Sequence, residues 1–190
     1  MGTIADEAKK CVEVMRKGGV ILYPTDTVWG IGCDATNAEA VKRVYEIKRR
    51  ADNKALLLLV DSADRISRYV ANVPMVAWDL IELTDKPLTI IYDGARNLAP
   101  NLIAEDGSVG IRVTSELFSK ELCYRFQKAV VSTSANVSGE PTPRFFAEIS
   151  PEIIDAVDYV VNYKQLEKGS PKSSSIIKLK ENGTVTIIRE

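Results

Sequence analysis

Two pairs of residues hold the chemistry of this chain. Lys48 and Arg50 stand two apart at the end of YEIKRR (45 to 50), and Ser134 and Asn136 stand two apart in STSANVSG (132 to 139). Two cations with a hydroxyl and an amide make an anion-binding set, rich in N–H and O–H donors. The sequence contains no histidine. It therefore lacks the side chain that most often moves protons near neutral pH. A site built from fixed charge and donors suits phosphate chemistry better than acyl transfer or zinc-assisted hydrolysis.

Each segment also has an ordinary structural reading. Cations closing a helix complement its dipole and commonly face solvent. Lys48, Arg49 and Arg50 precede an apolar run, 55 to 60, and Lys54 adds charge at the same sheet edge. That placement favours a ligand site. The run YPTDTVWGIG (23 to 32) passes from a strand through Thr25, Asp26 and Thr27 to two glycines. Hydroxyls just past a strand end commonly face the ligand crevice of α/β proteins, although Asp26 and Thr27 could equally be local caps. Ser134 is no esterase nucleophile, because no G-x-S-x-G surrounds it and no histidine is present to activate it. The chain also lacks the Walker loop and the dinucleotide glycine fingerprint.

Composition bounds the rest. A length of 190 residues fits one domain, 1 to 190, with a substantial core. The formal net charge of −1 argues against a dedicated nucleic-acid binder. Cys11, Cys33 and Cys123 are odd in number and far apart, which suits neither a disulfide framework nor a zinc set and points to a reducing cytoplasm. No apolar stretch approaches the roughly 20 residues that span a bilayer, so no membrane association is expected. The start of the chain does not read as a secretory signal.

Periodicity supplies the elements that must position these residues. Helices are expected over 4 to 17, from a Thr36–Glu39 capping box to Ile47, from Asp61, over 76 to 83, 115 to 126 and 145 to 157. Strands are expected over 20 to 23, 55 to 60, 88 to 92, 109 to 113 and 130 to 134. A hairpin around Asn182-Gly183 joins 176 to 179 and 185 to 189. Early alternation of helix and strand with a closing hairpin predicts an α/β fold with a mixed sheet. The stretch 164 to 175 is expected to be a mobile loop.

Taken in order, YPTDTVWGIGCDA, the Lys-x-Arg pair, KPLTII, GIRV and STSANVSGEPTP resemble the YrdC/Sua5 family of threonylcarbamoyl-AMP synthases in its short bacterial form. The resemblance covers roughly residues 8 to 189. It implies a YrdC-like twisted mixed sheet with flanking helices and a large positively lined cavity. It implies synthesis of L-threonylcarbamoyl-AMP from L-threonine, bicarbonate and ATP, with Mg²⁺ and with release of pyrophosphate. A tRNA threonylcarbamoyl-transfer complex would then use the product on adenosine 37 of tRNAs reading ANN codons.

Carried over residue by residue, the resemblance makes Lys48 and Arg50 the catalytic cations. It makes Lys48, Arg50, Lys54, Ser108, Asn136 and Arg189 the nucleotide contacts. Thr25, Thr27, Arg112, Ser134 and Ser174 are the threonine contacts, and no protein metal site is implied. The chain departs from the family pattern at Ala51, Ala55, Leu59 and Trp29. A direct tRNA or double-stranded RNA contact is one expected partner. A double-stranded RNA-binding or regulatory module on the same fold is the alternative reading, and a carbamoyl-transfer domain of hydrogenase maturation is a further rival.

Overall fold

The computed structural model describes residues 3–50, 56–167 and 173–190. Among them, nine strands form one sheet in the order β7-β1-β2-β6-β3-β5-β4-β8-β9. The strands are β1 (Ile21–Tyr23), β2 (Gly30–Gly32), β3 (Leu57–Val60), β4 (Leu88–Tyr92), β5 (Val109–Val113), β6 (Val130–Ser134), β7 (Tyr159–Val160), β8 (Ser175–Leu179) and β9 (Val185–Arg189). The helices are α1 (Ile4–Arg16), α2 (Ala38–Ile47), α3 (Val76–Leu83), α4 (Leu117–Phe126) and α5 (Pro151–Ala156). Pairs β1–β7, β3–β5 and β4–β8 are parallel and the other neighbours antiparallel, so the sheet is mixed as expected.

Local chemistry explains the boundaries. Thr3 and Asp6 cap α1 reciprocally, and the helix buries Ala8, Cys11, Val12 and Met15 along one stripe that packs against α4. The expected capping box at Thr36 does not form. Thr36 instead donates its N–H and hydroxyl to Asp34 Oδ1, at 2.8 and 2.7 Å, and the next residue, Asn37, caps α2 by accepting from Ala40 N. The helix expected over 145 to 157 is split. Pro151 has no N–H to donate and holds Ser150 extended, leaving a 3-10 turn at Phe146–Glu148 and a fresh start at Pro151. A short 3-10 helix, Ala63–Arg68, stands where a helix from Asp61 was expected.

Two strands were not expected. β2 carries glycine at both ends, and the chain is so tightly packed there that a Cβ on Gly32 would lie 2.5 Å from Val131 O. β7 is two residues long. Together with β1 and β6 they form one wing of the sheet. The other wing ends in the expected hairpin, where Gly183 adopts a φ of 84°. No helix among the described residues is long and apolar enough to cross a membrane.

Candidate anion-binding site

A cavity of about 340 Å³ opens where β2, β3, β4, β5, β6 and β8 bring their residues together. Arg50, Arg112 and Arg189 line it, and no described lining residue is a carboxylate. Thr25, Thr27, Thr89, Ser108, Ser132, Thr133, Ser134, Thr142, Ser173 and Ser174 add hydroxyls, while Leu56, Leu57, Val109, Ile91 and Ile176 add apolar wall. Guanidinium groups among hydroxyls can bind carboxylate or phosphate with several directed hydrogen bonds.

The three consecutive cations meet three fates. Lys48 closes α2 and turns inward, only 2% exposed. Its ammonium donates to the carbonyls of Ser134 at 2.5 Å and Asn136 at 2.7 Å. Burial, and then the Arg50 charge, hold its pKa down at about 8. Arg49 takes a positive φ of 49° and pairs with Glu152 on the surface at 2.5 Å. Only Arg50 reaches the cavity. Lys48, expected to hold a phosphate, is not among the lining residues, and its ammonium is engaged by the two carbonyls. Lys54 lies outside the described residues.

On the opposite strand, Ser134 faces the cavity. Asn136 does not line it. Its amide N–H groups donate to Val137 O and Glu140 O, bracing its own loop, and its Oδ1 is buried with no hydrogen-bond partner. Gly139 turns the same loop with a φ of 91°.

Arg112 sits on β5 beside Thr89 of β4, 3% exposed. Its Nη2 lies 2.9 Å from Asp26 Oδ1 and donates to Thr27 Oγ1 at 3.3 Å. The Asp26 contact is a close ion pair rather than a directed hydrogen bond, and Arg112 Nε has no hydrogen-bond partner. Burial pushes the Asp26 pKa up while Arg112 opposes it, with a net rise. Thr25 does the structural work of the turn, donating to Val28 O at 2.7 Å and accepting from Thr27 N at 3.2 Å. The local cap is thus Thr25 rather than the expected Asp26 and Thr27, and Thr25 and Thr27 also line the cavity.

At the other rim, Ser108 donates to Asp106 Oδ1 at 2.5 Å, and Lys178 of β8 holds Asp106 Oδ2 at 2.7 Å. The Lys178 bond, helped by Ser108, brings the Asp106 pKa down to about 2. Ser174 is buried, its hydroxyl 2.9 Å from that of Thr89. Arg189 donates twice to the Ser174 carbonyl, at 3.0 and 2.8 Å. The end of β9 therefore ties Ser174 into the cavity wall. Residues 168 to 172 of the expected mobile loop lie outside the described residues. Thr89, Ser132, Thr133 and Thr142 were not among the expected contacts. A buried threonine inside the apolar strand LTIIY was the signal that marks Thr89.

A family model named Sua5–yciO–yrdC, with the description "Telomere recombination", matches residues 13–190. The chain is 34% identical over 177 residues to the threonylcarbamoyl-AMP synthase of Pseudoalteromonas translucida, covering 92% of this chain and 93% of that one. Among solved structures it is similar to E. coli YciO, with a TM-score of 0.84 and 26% identity over 98% of this chain and 89% of that one. It shares the fold of P. abyssi Sua5 complexed with L-threonine, with a TM-score of 0.82 and 21% identity over 92% of this chain and 51% of that one.

Proposed function

The chain belongs to the Sua5–YciO–YrdC family, and we propose that it makes L-threonylcarbamoyl-AMP from L-threonine, bicarbonate and ATP. The observation that carries this reading is the cavity itself, where three arginines and a ring of hydroxyls meet with no carboxylate among the described lining residues. Every substrate is anionic or carries a carboxylate, and the likeness to a named threonylcarbamoyl-AMP synthase supports the choice.

The chemistry needs little from a protein base. The ammonium group of threonine and bicarbonate give a carbamate, water and a proton released to solvent. A carbamate oxygen then attacks the α-phosphorus of ATP. The new P–O bond forms as the bond to the bridging oxygen breaks, and pyrophosphate leaves. Catalysis rests on positioning and charge stabilisation, which suits a chain without histidine.

In this reading Arg112 takes the threonine carboxylate through its unpartnered Nε, next to the hydroxyl of Thr27, with Thr25, Ser134 and Ser174 around the amino acid. Arg50 offsets repulsion between carbamate and phosphates. Ser108, Arg189 and Lys54 complete the nucleotide contacts, and Asn136 braces the loop that carries Ser134. Among the described residues no cluster of metal-ligating side chains occurs. Magnesium would therefore enter on the phosphate oxygens of the nucleotide, as part of the substrate, and supply charge neutralisation there. The product serves a tRNA threonylcarbamoyl-transfer complex acting on adenosine 37 in the cytoplasm.

The test is pyrophosphate release from ATP, Mg²⁺ and bicarbonate with and without L-threonine. Release that needs both threonine and bicarbonate is expected. Folded protein that releases none, yet binds double-stranded RNA with steep salt dependence, would replace this reading with the RNA-binding one.

A further inference from the structure

Among the described residues, Lys48 is a buried cation that faces no anion. Burial and the Arg50 charge both act against its ionised form, and no described carboxylate opposes them. Such a group is costly to keep, and an apolar residue of similar size would cost less. What the ammonium does instead is grip backbone. The Ser134 carbonyl accepts both from Lys48 Nζ and from Asn136 N, at 2.5 and 2.9 Å, and the Asn136 carbonyl accepts from Lys48 Nζ at 2.7 Å. The grip is returned, because Ser138 N donates to the Lys48 carbonyl at 2.8 Å. Ala135 N, between the two gripped carbonyls, donates to Trp29 O at 3.0 Å. Ser134 and Arg50 line the cavity, and Lys48 does not.

We propose that Lys48 is a positioning residue: it acts on substrate only by locking the 134 to 138 turn to the end of α2, so that Ser134 and Arg50 face the cavity together. This rests on the function proposed above. The Lys-x-Arg and Ser-x-Asn pairs are then one mechanical unit with a single cation in contact with ligand.

A double-mutant cycle on threonine-dependent pyrophosphate release tests it, using Lys48→Met, Ser134→Ala and the combination. If Lys48 works through the turn, Lys48→Met lowers kcat/KM on the order of a hundredfold. Ser134→Ala costs roughly tenfold alone but under about twofold once Lys48 is gone, because a released turn no longer presents the hydroxyl. Effects that multiply would overturn the proposal, since they require Lys48 to contact substrate separately. So would a Lys48→Met protein that melts lower yet turns over normally when folded. Should Lys48→Met fail to fold, Lys48→Arg replaces it in the cycle. That variant keeps the charge but offers a planar fork in place of the tetrahedral ammonium. The same non-additivity supports the proposal, and near-normal turnover overturns it. If the wild-type chain releases no pyrophosphate, the functional reading falls by itself. The cycle is then read on ATP affinity by calorimetry, where non-additivity supports the lock and additivity refutes it.

Discussion

Two sets of charge stand at different places in this sheet, and they differ in how fully they are satisfied. Beside β7, Glu7 is 1% exposed and accepts from Lys10, from the Tyr159 hydroxyl at 2.7 Å and from Asn162 N at 2.8 Å. Its neighbour Asp158, which is exposed, accepts from both Arg43 nitrogens and from Val20 N. At the cavity wall Arg112 is buried, with Asp26 buried behind it, yet Arg112 Nε and the Asp26 oxygens lack directed hydrogen bonds. Buried polar groups are normally saturated, because an unmade hydrogen bond costs about 1–3 kcal/mol. The saturated set holds α1 and α2 to the edge of the sheet. Under the proposed function, the unsaturated set is the one that would meet the ligand.

The largest effect that would break this contrast is at Arg112. Arg112→Met should lower kcat/KM for threonine about a thousandfold, or roughly 4 kcal/mol. It should also cost roughly 3–5 kcal/mol of stability in urea unfolding, because Asp26 is left as a lone buried charge. Adding Asp26→Asn should restore much of the stability and none of the turnover. Recovery of both together would mean that the pair is structural, like Glu7.

Arg189→Ala should come next. Loss of the two bonds to the Ser174 carbonyl should raise the KM for ATP about tenfold, near 1.4 kcal/mol. A smaller rise is expected for threonine, with kcat changed least. An unchanged KM for both substrates would make the tie at the end of β9 ornamental.

Glu7→Gln should do the reverse. Replacing the carboxylate breaks charge-assisted bonds in a saturated site, so stability should fall by about 1–3 kcal/mol with kcat and both KM values intact. A change in turnover at this distance from the cavity would dissolve the distinction between the two sets.

How legible this was in the sequence follows the same division. The strands β4, β5 and β6 were readable to the residue, because β-branched and aromatic runs are bounded there by Pro, Gly and Ser. β2 was not, since Gly-Ile-Gly offers no alternation and is a strand only because β1 and β6 flank it. The pair Lys48 and Arg50 was visible as an anion-binding motif. Its division into one clamp and one lining cation was not, because the left-handed turn at Arg49 comes from the end of a helix meeting a loop 86 residues away. Ser174 and Arg189 came into view only through family resemblance. Nothing local in the chain says that β8 lies against β4 and brings Ser174 to Thr89. Glu7 was hidden for the same reason, as its partners Tyr159 and Asn162 lie in and just after β7, far along the sequence.

Acid titration gives the finest discrimination, because the two sets shift in opposite directions. For Glu7, burial raises the pKa, but the bonds from Lys10, Asn162 and Tyr159 together outweigh it, and the net shift is downward from 4.5. Asp158 is lowered from 3.8, chiefly by Arg43. A carboxylate with a depressed folded pKa adds stability that is full above its unfolded pKa and is lost as pH falls through the folded value. Asp26, raised from 3.8 by burial despite Arg112, has the opposite sign. Its contribution is full below 3.8 and is lost as pH rises through its higher folded pKa. Unfolding free energies measured from about pH 3 to 6 should therefore rise less steeply with pH in Glu7→Gln than in the wild type. In Asp26→Asn they should rise more steeply, because the opposing contribution of Asp26 is gone. Two substitutions that bend the curve the same way would show that Asp26 is held as Glu7 is held, and that its missing hydrogen bonds are not reserved for a ligand.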